Sequence, residues 1–203
     1  MKQREKRPAR TRQAILDAAA AEFSRHGYAG TGLGAIVARA DLTKGALFHH
    51  FSDKQALAAA WIGENLTVSI NELWVTPLHA MDSLDALRIF CRARCQELMP
   101  GDATSALVAL TAETAAAAPV LGAVLAAVLA TWREAVAGLL ERGKSGGWIH
   151  RSIQPAAEAG FLVAVFCGFS VMTQASTDEG TRRACATAVE GYLETLRATS
   201  PNH

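Results

Sequence analysis

The chain has 203 residues, half of them hydrophobic, and a formal net charge of +1 at pH 7. This length can bury a sizeable core and divide into one small and one medium domain. The basic start has no apolar stretch of secretory length, and the most apolar region, 120–132, is shorter than a bilayer span. We therefore expect a soluble, cytoplasmic protein without a signal peptide or membrane partner.

The positive charge is concentrated in residues 1–54, which hold ten Lys and Arg against five Asp and Glu. Such a density suits a flexible arm that follows DNA phosphates or enters a minor groove, and the alternative is a solvated tail that only aids solubility. The first helix is predicted over about 11–26, with Gly27 at its end. The cations before or at its start are Lys2, Arg4, Lys6, Arg7, Arg10 and Arg12.

The segment 31–54 predicts two short helices joined by a tight turn. Apolar residues follow the spacing of a helix with one buried face over 33–40. Asp41 suits the left-handed backbone of the turn, and Thr43 can cap a second helix over 44–50. That helix is short and polar, as a recognition helix is. Its outward residues are Lys44, Gly45, Ala46, Phe48, His49 and His50.

This spacing resembles the N-terminal domain of TetR-type transcriptional regulators, a DNA-binding helix-turn-helix. The residues that carry the resemblance are Thr31, Ile36, Thr43-Lys44-Gly45, Phe48-His49-His50-Phe51 and Lys54, with Phe23, Gly27, Tyr28 and Leu57 around them. Two residues depart from the family pattern. Asp41 stands where the turn usually has Gly, and Phe48 replaces a common Tyr, so position 48 has no hydroxyl for a phosphate.

The helix-turn-helix predicts a set of DNA contacts. Residues expected to hold phosphates are Arg10 and Arg12 of the basic arm, and Thr31, Thr43, Lys44 and Lys54. Residues expected to face the major groove are Gly45, Ala46, His49 and His50, with Phe48 on the same outward face. His49 and His50 also suggest a metal site, but no third ligand is evident and DNA contact fits better.

Beyond this segment the chain predicts helix throughout, because its Ala-rich and Leu-rich stretches keep a 3.6-residue period. We expect an all-α protein of about nine helices. Residues 1–54 would form the DNA-binding domain and 55–203 a ligand-binding and dimerisation domain. The fourth helix should start near Asp53 and end at Pro77. Because it joins the two domains, we expect it to transmit ligand binding to the recognition helix.

Three further helices are predicted over about 83–99, 104–117 and 119–142. The sequence Gly138-Leu-Leu-Glu-Arg-Gly-Lys-Ser145 in the last of them matches the letters of a phosphate-binding Walker loop. Such a loop must follow a strand and open a helix, whereas this sequence lies at a helix end. We interpret it as a helix end and a turn.

The final two helices, about 155–177 and 178–198, are apolar on more than one face. One chain does not easily bury both faces, so the surplus predicts a homodimer with a four-helix interface. The alternative is that both faces pack inside the chain. The residues assigned to the interface are Phe161, Val165, Phe169, Met172, Val189, Leu193 and Leu196.

The four cysteines lie within apolar helical patterns, as reduced core thiols do. Cys91 and Cys95 are four residues apart and could bind a metal or sense oxidants, but no further Cys or His nearby completes a metal site. We find no catalytic motif either. The sequence therefore predicts no enzyme activity, metal or cofactor.

Arg94 is a polar residue on an apolar helical stripe, and a buried cation needs an anion. Two partners stay open for it. One is a structural pair with Glu113. The other is the anionic end of an effector, whose apolar body would meet Phe90, Leu107, Trp132 and Phe166.

The C-terminal half is also similar to the ligand domain of regulators that answer reactive electrophiles or small unsaturated acids. The similar residues are Thr111-Ala-Glu113, Ala118-Pro119, Thr131-Trp132, Gly143 and Gly147-Trp148. Some of those regulators carry a sensor Cys just before the sixth helix. Here 102–106 has no thiol, so Cys91 and Cys95 would have to substitute.

Together these expectations describe a homodimeric, sequence-specific DNA-binding regulator of the TetR type. It would be a repressor that a small-molecule ligand releases from a palindromic operator. Two alternatives stay open. One is a small helical ligand-binding protein or enzyme that uses the C-terminal apolar pocket, and the other is a DNA-binding protein without an effector.

Overall fold

The computed structural model describes residues 6–175 and 178–198. This part of the chain contains nine helices and no β-strand, which confirms the all-α prediction. The helices are α1 (Lys6–Gly30), α2 (Leu33–Arg39), α3 (Lys44–His50), α4 (54–80), α5 (Leu84–Glu97), α6 (Ala103–Ala117), α7 (Pro119–Gly146), α8 (Pro155–Ala175) and α9 (Glu179–Thr195).

Helix α1 begins at Lys6, about five residues earlier than predicted. The backbone of Arg7 and Arg10 is therefore helical and does not form an extended arm, while Lys2 and Arg4 lie outside the described residues. Gly27 interrupts α1 with φ 69° and ψ 175°, a conformation that glycine adopts more readily than other residues. The regular helix is therefore interrupted at Gly27, where its end was predicted, although helical residues continue to Gly30.

Local signals determine α2 and α3. Asp41 has a φ of 53°, the left-handed conformation predicted for the turn. The side chain of Thr43 accepts the Ala46 N–H at 3.2 Å and caps α3. At the start of α4, Asp53 accepts the Ala56 N–H at 2.7 Å in the same way. Both caps satisfy amides that have no partner within their own helix.

Helix α4 contains two π-helical stretches, Ile62–Leu66 and Asn71–Val75, between α-helical parts. Four residues of an α-helix turn through about 400°, so a row with this spacing drifts by about 40° per step. The wider turns of a π-helix offset that drift. The two stretches thus keep on one side a row buried at every fourth residue: Ala58, Ile62, Leu66, Ile70, Trp74 and Leu78.

Pro77 does not end α4, contrary to the prediction. It lies in the first turn of the last α-helical part, Thr76–Ala80, directly after the second π-helical stretch. Proline is tolerated there because its missing N–H removes no hydrogen bond within that part. The helix ends at Ala80, and Met81 has extended backbone angles.

The chain forms two compact units, and the predicted functional division into 1–54 and 55–203 stays a prediction. One unit consists of 1–68 and 109–127, and the other of 69–108 and 128–203. The first half of α4 and the residues around the α6–α7 junction therefore pack with the N-terminal helices.

The Walker-like sequence 138–145 lies at the C-terminal end of α7. The helix continues to Gly146, and Gly147 has a φ of 77°. The backbone N–H groups of Trp148 and Ile149 both donate to the Gly143 carbonyl, at 3.0 and 3.1 Å. Residues 138–145 thus lie entirely within the end of the helix, which runs about four residues further than predicted, and the turn follows them at Gly147.

Helices α7 and α8 are long and apolar enough to cross a membrane by length and composition. The prediction that the most apolar segment is too short is therefore wrong, because it considered only part of α7. Core helices of soluble proteins pass the same test. In this chain Trp132 and Leu139 of α7 and Leu162 and Phe166 of α8 are buried.

Candidate nucleic-acid interface

Helix α3 is fixed by one side and presents the other side to solvent. Leu47 is fully buried, and Phe51, directly after the helix, is also buried. Phe48, by contrast, is 53% exposed. The other exposed or half-exposed residues of this side are Thr43, Lys44, Gly45, Ala46, His49 and His50. We call these seven residues the α3 face.

The two histidines of the α3 face have adjacent rings, with centroids 5.1 Å apart. Burial lowers the pKa of His50, and the charges of His49 and Arg12 lower it further. A neutral imidazole has one N–H donor and one acceptor, so His50 can offer both at neutral pH. Among the described residues no group of three His, Cys, Asp or Glu could hold a metal ion.

Three residues predicted to contact phosphates are engaged by the fold instead. Arg12 pairs with Glu64 and lies 5.2 Å from the ring centre of Phe51. Thr31 is only 2% exposed. Its hydroxyl donates to the Gly27 carbonyl at 2.7 Å, and a second carbonyl lies at 3.0 Å. A buried hydroxyl with partners inside the chain does not reach a phosphate, which corrects the prediction for Thr31.

Lys54 is the third of these residues. Its ammonium donates to the carbonyls of Tyr28 and Thr31, at 2.7 and 2.9 Å, and lies 4.4 Å from the ring centre of Tyr28. Two of its three N–H donors are therefore used to hold the turn that follows the break in α1. This assigns Lys54 a role in the fold that the sequence prediction missed.

The turn after the break in α1 also contacts Glu113, which the sequence analysis had paired with Arg94. The N–H of Ala29 donates to the Glu113 carboxylate at 3.0 Å. Arg94, the predicted partner of Glu113, instead pairs with Glu97 one turn along α5. The predicted Arg94–Glu113 pair is therefore corrected, because each residue has another partner.

An aromatic cluster fills the second unit. Trp74 stacks on Trp132 with ring centres 4.4 Å apart, and Phe90 and Phe166 pack against Trp74 at 5.8 and 4.7 Å. Three predicted ligand-binding residues thus meet, around a tryptophan that the sequence analysis had not selected. Leu107 is fully buried.

The core of this cluster is closed. The indole N–H of Trp74 donates to the Thr104 hydroxyl at 3.0 Å, and both residues are buried. The cavity beside the cluster has a volume of about 10 Å³. A space of this size holds no more than one water molecule.

Arg94 lies at the edge of the cluster. Its guanidinium is 5.4 Å from the ring centre of Phe90, and its side chain is 17% exposed. Its Nε atom is buried and has no hydrogen-bond partner. Arg94 therefore keeps one free donor at the cluster, in addition to its pair with Glu97.

The predicted dimer face divides into buried and exposed residues. Phe169, Val189, Leu193 and Leu196 are buried within a single chain, which corrects their assignment to an interface. The first lies on α8, and the other three lie on or just after α9, which packs against α5. Val165 is half-buried and Phe161 and Met172 are about half exposed, as is Val171, which the sequence analysis did not select.

A cavity of about 250 Å³ lies along this face. It is lined by Cys95, Ala164, Val165, Phe166, Gly168, Phe169, Met172, Cys185, Ala188 and Val189. Burial raises the pKa of Cys95 to about 11 and that of Cys91 still further. Thiols in this state are poor nucleophiles at neutral pH.

The chain is similar to bacterial regulators in sequence and in fold. Residues 15–61 match the family model described as bacterial regulatory proteins, tetR family. The A-factor receptor protein of Streptomyces griseus is 30% identical over 173 residues, which cover 84% of this chain and 58% of the receptor. The transcriptional repressor AcnR of Corynebacterium efficiens is 38% identical over 72 residues, which cover 33% of this chain and 38% of AcnR.

The chain thus spans less than two thirds of the length of these curated relatives. The crystal structure of a TetR transcriptional regulator from Chloroflexus aurantiacus has the same fold. It is 23% identical and has a TM-score of 0.83, and the match covers 96% of this chain and 100% of that one.

Proposed function

We propose that this chain is a member of the TetR family of bacterial regulatory proteins and a transcriptional repressor that a small molecule releases from DNA. It would act in the cytoplasm as a homodimer on a palindromic operator, and it would not be an enzyme. The observation that carries the proposal is the α3 face, a capped and firmly packed helix with its polar side open to solvent.

Gly45 supports a close approach of this helix to DNA. A side chain at position 45 would meet only the Thr43 hydroxyl, 3.9 Å away. Packing in the described part of the chain therefore does not require glycine at this position. A groove lined by bases would require it, because the absence of a side chain lets a helix backbone lie deeper.

Within the proposal, Arg10, Thr43 and Lys44 hold phosphates, and Gly45, Ala46, Phe48, His49 and His50 meet the major groove. The Thr43 hydroxyl accepts the Ala46 N–H, so its own hydrogen is available to a phosphate oxygen. Arg12, Thr31 and Lys54 contribute indirectly, because they hold α1 and the turn that supports α2 and α3.

The A-factor receptor protein is, by its name, a receptor for A-factor, which supports an effector for this chain as well. We place the effector at the aromatic cluster, where Phe90, Trp132 and Phe166 surround Trp74 and where Arg94 keeps a free donor. The cluster would have to open, since its cavity is about 10 Å³. This closed core favours a second candidate, a DNA-binding protein without an effector.

The exposed part of α8 supports the homodimer. Phe161, Val171 and Met172 expose large apolar side chains, and the adjacent cavity of about 250 Å³ is lined mainly by apolar groups. Burying such a patch against a second copy removes apolar area from water. A two-fold dimer would also present two α3 faces to the two halves of a palindrome.

The first experiment measures binding of the purified protein to DNA from upstream of its own gene, at two salt concentrations and with random DNA as competitor. We expect salt-sensitive binding that survives the competitor. Equal binding to random DNA would contradict a sequence-specific regulator. The bound complex then serves to screen effectors, and dissociation by none of a broad set of apolar and acidic compounds would favour the candidate without an effector.

A further inference from the structure

We infer that Glu113 is a positioning residue for DNA binding, whose carboxylate holds the turn leading into the helix-turn-helix. The inference rests on the proposed DNA-binding function. The residues used in the argument, Gly27, Ala29 and Glu113, all lie within the unit formed by 1–68 and 109–127. Glu113 is on α6, four residues before the last residue of that helix, Ala117.

The carboxylate fits the turn at two adjacent points. Its Oε2 atom accepts the Ala29 N–H at 3.0 Å. Its Oε1 atom occupies the space that a side chain would take at Gly27, since a Cβ there would lie 2.1 Å from Oε1 and 2.8 Å from Cδ. Gly27 also has a φ of 69°, so this position needs glycine both for its backbone and for the carboxylate.

The hydrogen bond at Ala29 differs from the other contacts that hold this turn. Thr31 and Lys54 belong to the helix-turn-helix segment and bind carbonyl groups. Glu113 is 84 residues away from Ala29 in sequence and binds an N–H group. A charged acceptor makes this bond stronger than one between neutral groups. The loss of this hydrogen bond should therefore make the turn between Gly27 and α2 more mobile without unfolding α1, α2 and α3.

A loosened turn should weaken DNA binding through the population of the binding-competent state. The apparent affinity of a protein falls in proportion to the fraction of molecules that hold the competent conformation. The loss of a solvent-exposed hydrogen bond to a charged group shifts such an equilibrium by up to about tenfold. DNA affinity falls by the same factor only where the competent state becomes the minor one, so we expect a loss of affinity of up to about tenfold from the removal of the carboxylate.

The test compares Glu113→Ala, Glu113→Gln and, as a matched control, Glu134→Ala, which removes an exposed glutamate from α7. Two quantities are measured on the full chain: hydrogen exchange of the Ala29 amide by NMR, and affinity for the upstream DNA by fluorescence anisotropy. For Glu113→Ala we expect exchange that is faster by up to about tenfold and DNA binding that is weaker by no more than the same factor. Glu113→Gln keeps an oxygen acceptor without the charge and should restore part of both, and Glu134→Ala should match the natural chain.

Thermal unfolding checks that every variant is folded at the assay temperature. Unchanged exchange at Ala29 in Glu113→Ala would overturn the contact itself. Faster exchange with unchanged DNA affinity would overturn the positioning role while leaving the DNA-binding proposal intact. If the natural chain shows no preference for its upstream DNA, the proposed function fails, and the exchange measurement still decides whether Glu113 holds the turn.

A double-mutant cycle with Gly27→Ala provides a second variant. A side chain at position 27 meets the carboxylate only when Glu113 is present. The loss of stability from Gly27→Ala should therefore be smaller in the Glu113→Ala background, because only the cost of the backbone angle remains. Additive losses would contradict the close contact between these two residues.

Discussion

Three cations near the recognition helix have similar side chains but different surroundings. Arg12 is paired with Glu64, and Lys54 donates to two backbone carbonyls. Lys44 is exposed at the first turn of α3. Of the three, Lys44 is therefore the one whose charge is most available to a phosphate.

We predict that Lys44→Ala weakens binding at every DNA sequence and lowers the slope of log affinity against log salt by about 1, since one phosphate contact is lost. Fluorescence anisotropy over a salt series measures both quantities. Arg133→Ala, which removes an exposed cation from α7, is the matched control and should leave the slope unchanged. An unchanged slope for Lys44→Ala would remove this residue from the phosphate contacts.

The cysteines provide a prediction that depends on pH. Burial raises the pKa of Cys95 to about 11, which keeps the unreactive thiol form at neutral pH. Alkylation of Cys95 by iodoacetamide at pH 7 should therefore be at least about tenfold slower in the folded chain than in the unfolded chain, because burial withholds both the sulfur and its thiolate form, and the rate in the unfolded chain should rise with pH up to about 8.5. Mass spectrometry of the labelled peptides measures it, with the urea-unfolded chain as control. Equal rates of Cys95 labelling in the folded and the unfolded chain at pH 7 would contradict the burial of this thiol.

At the scale of elements, the two glycines of the Walker-like letters have different surroundings. A Cβ on Gly143 would lie 2.4 Å from Ile149 and 2.8 Å from Trp148. On Gly138 it would meet only the end of Arg142, at 3.8 Å. Gly143 is thus required by the folded-back chain after α7, whereas Gly138 occupies an ordinary helix position.

We therefore predict opposite effects of the two alanine substitutions on the free energy of unfolding in urea. Gly143→Ala should lower it by about 1–3 kcal/mol through overpacking. Gly138→Ala, the matched control in the same helix, should raise it by up to about 1 kcal/mol, because alanine favours helix more than glycine does. Equal losses from both substitutions would contradict this account of the turn.

The sequence predicted best the elements that depend on local signals. Helices α2 and α3 have nearly the predicted bounds, because Asp41 and Thr43 determine the turn and the cap from within the segment. Helix α4 was predicted less well. Its buried row has a spacing of four residues, and a search with a period of 3.6 does not anticipate the π-helical stretches or the helix around Pro77.

Contacts between distant residues were beyond the reach of the sequence patterns. Trp74 and Thr104 are 30 residues apart, and Ala29 and Glu113 are 84 apart. Neither pair lies on one helix face, so no periodicity connects its members. The apolar character of α8 and α9 was evident from the sequence, but not which of their faces the chain buries, and four predicted interface residues proved to be buried in the chain.

At the scale of the whole molecule, we predict that the Phe161→Glu, Met172→Glu double variant is a monomer. Two charges in an apolar interface would lose their hydration without a partner. Light scattering after size exclusion should then give 21.5 kDa, against twice that mass for the natural chain. Ile89→Glu, which changes an apolar residue on α5 that is 71% exposed, is the control and should remain a dimer. A dimer in the double variant would exclude this face of α8 as the interface.

The bond between Ala29 and Glu113 also bears on how the protein is made. A ribosome adds about 5–20 residues per second, so Glu113 follows Ala29 after roughly 4–17 s. During this interval α1, α2 and α3 can fold, but the turn between α1 and α2 still lacks its hydrogen bond to Glu113. The compact unit around the α3 face is complete only after residue 127 has emerged. The nascent chain should therefore acquire its helices before its full affinity for DNA.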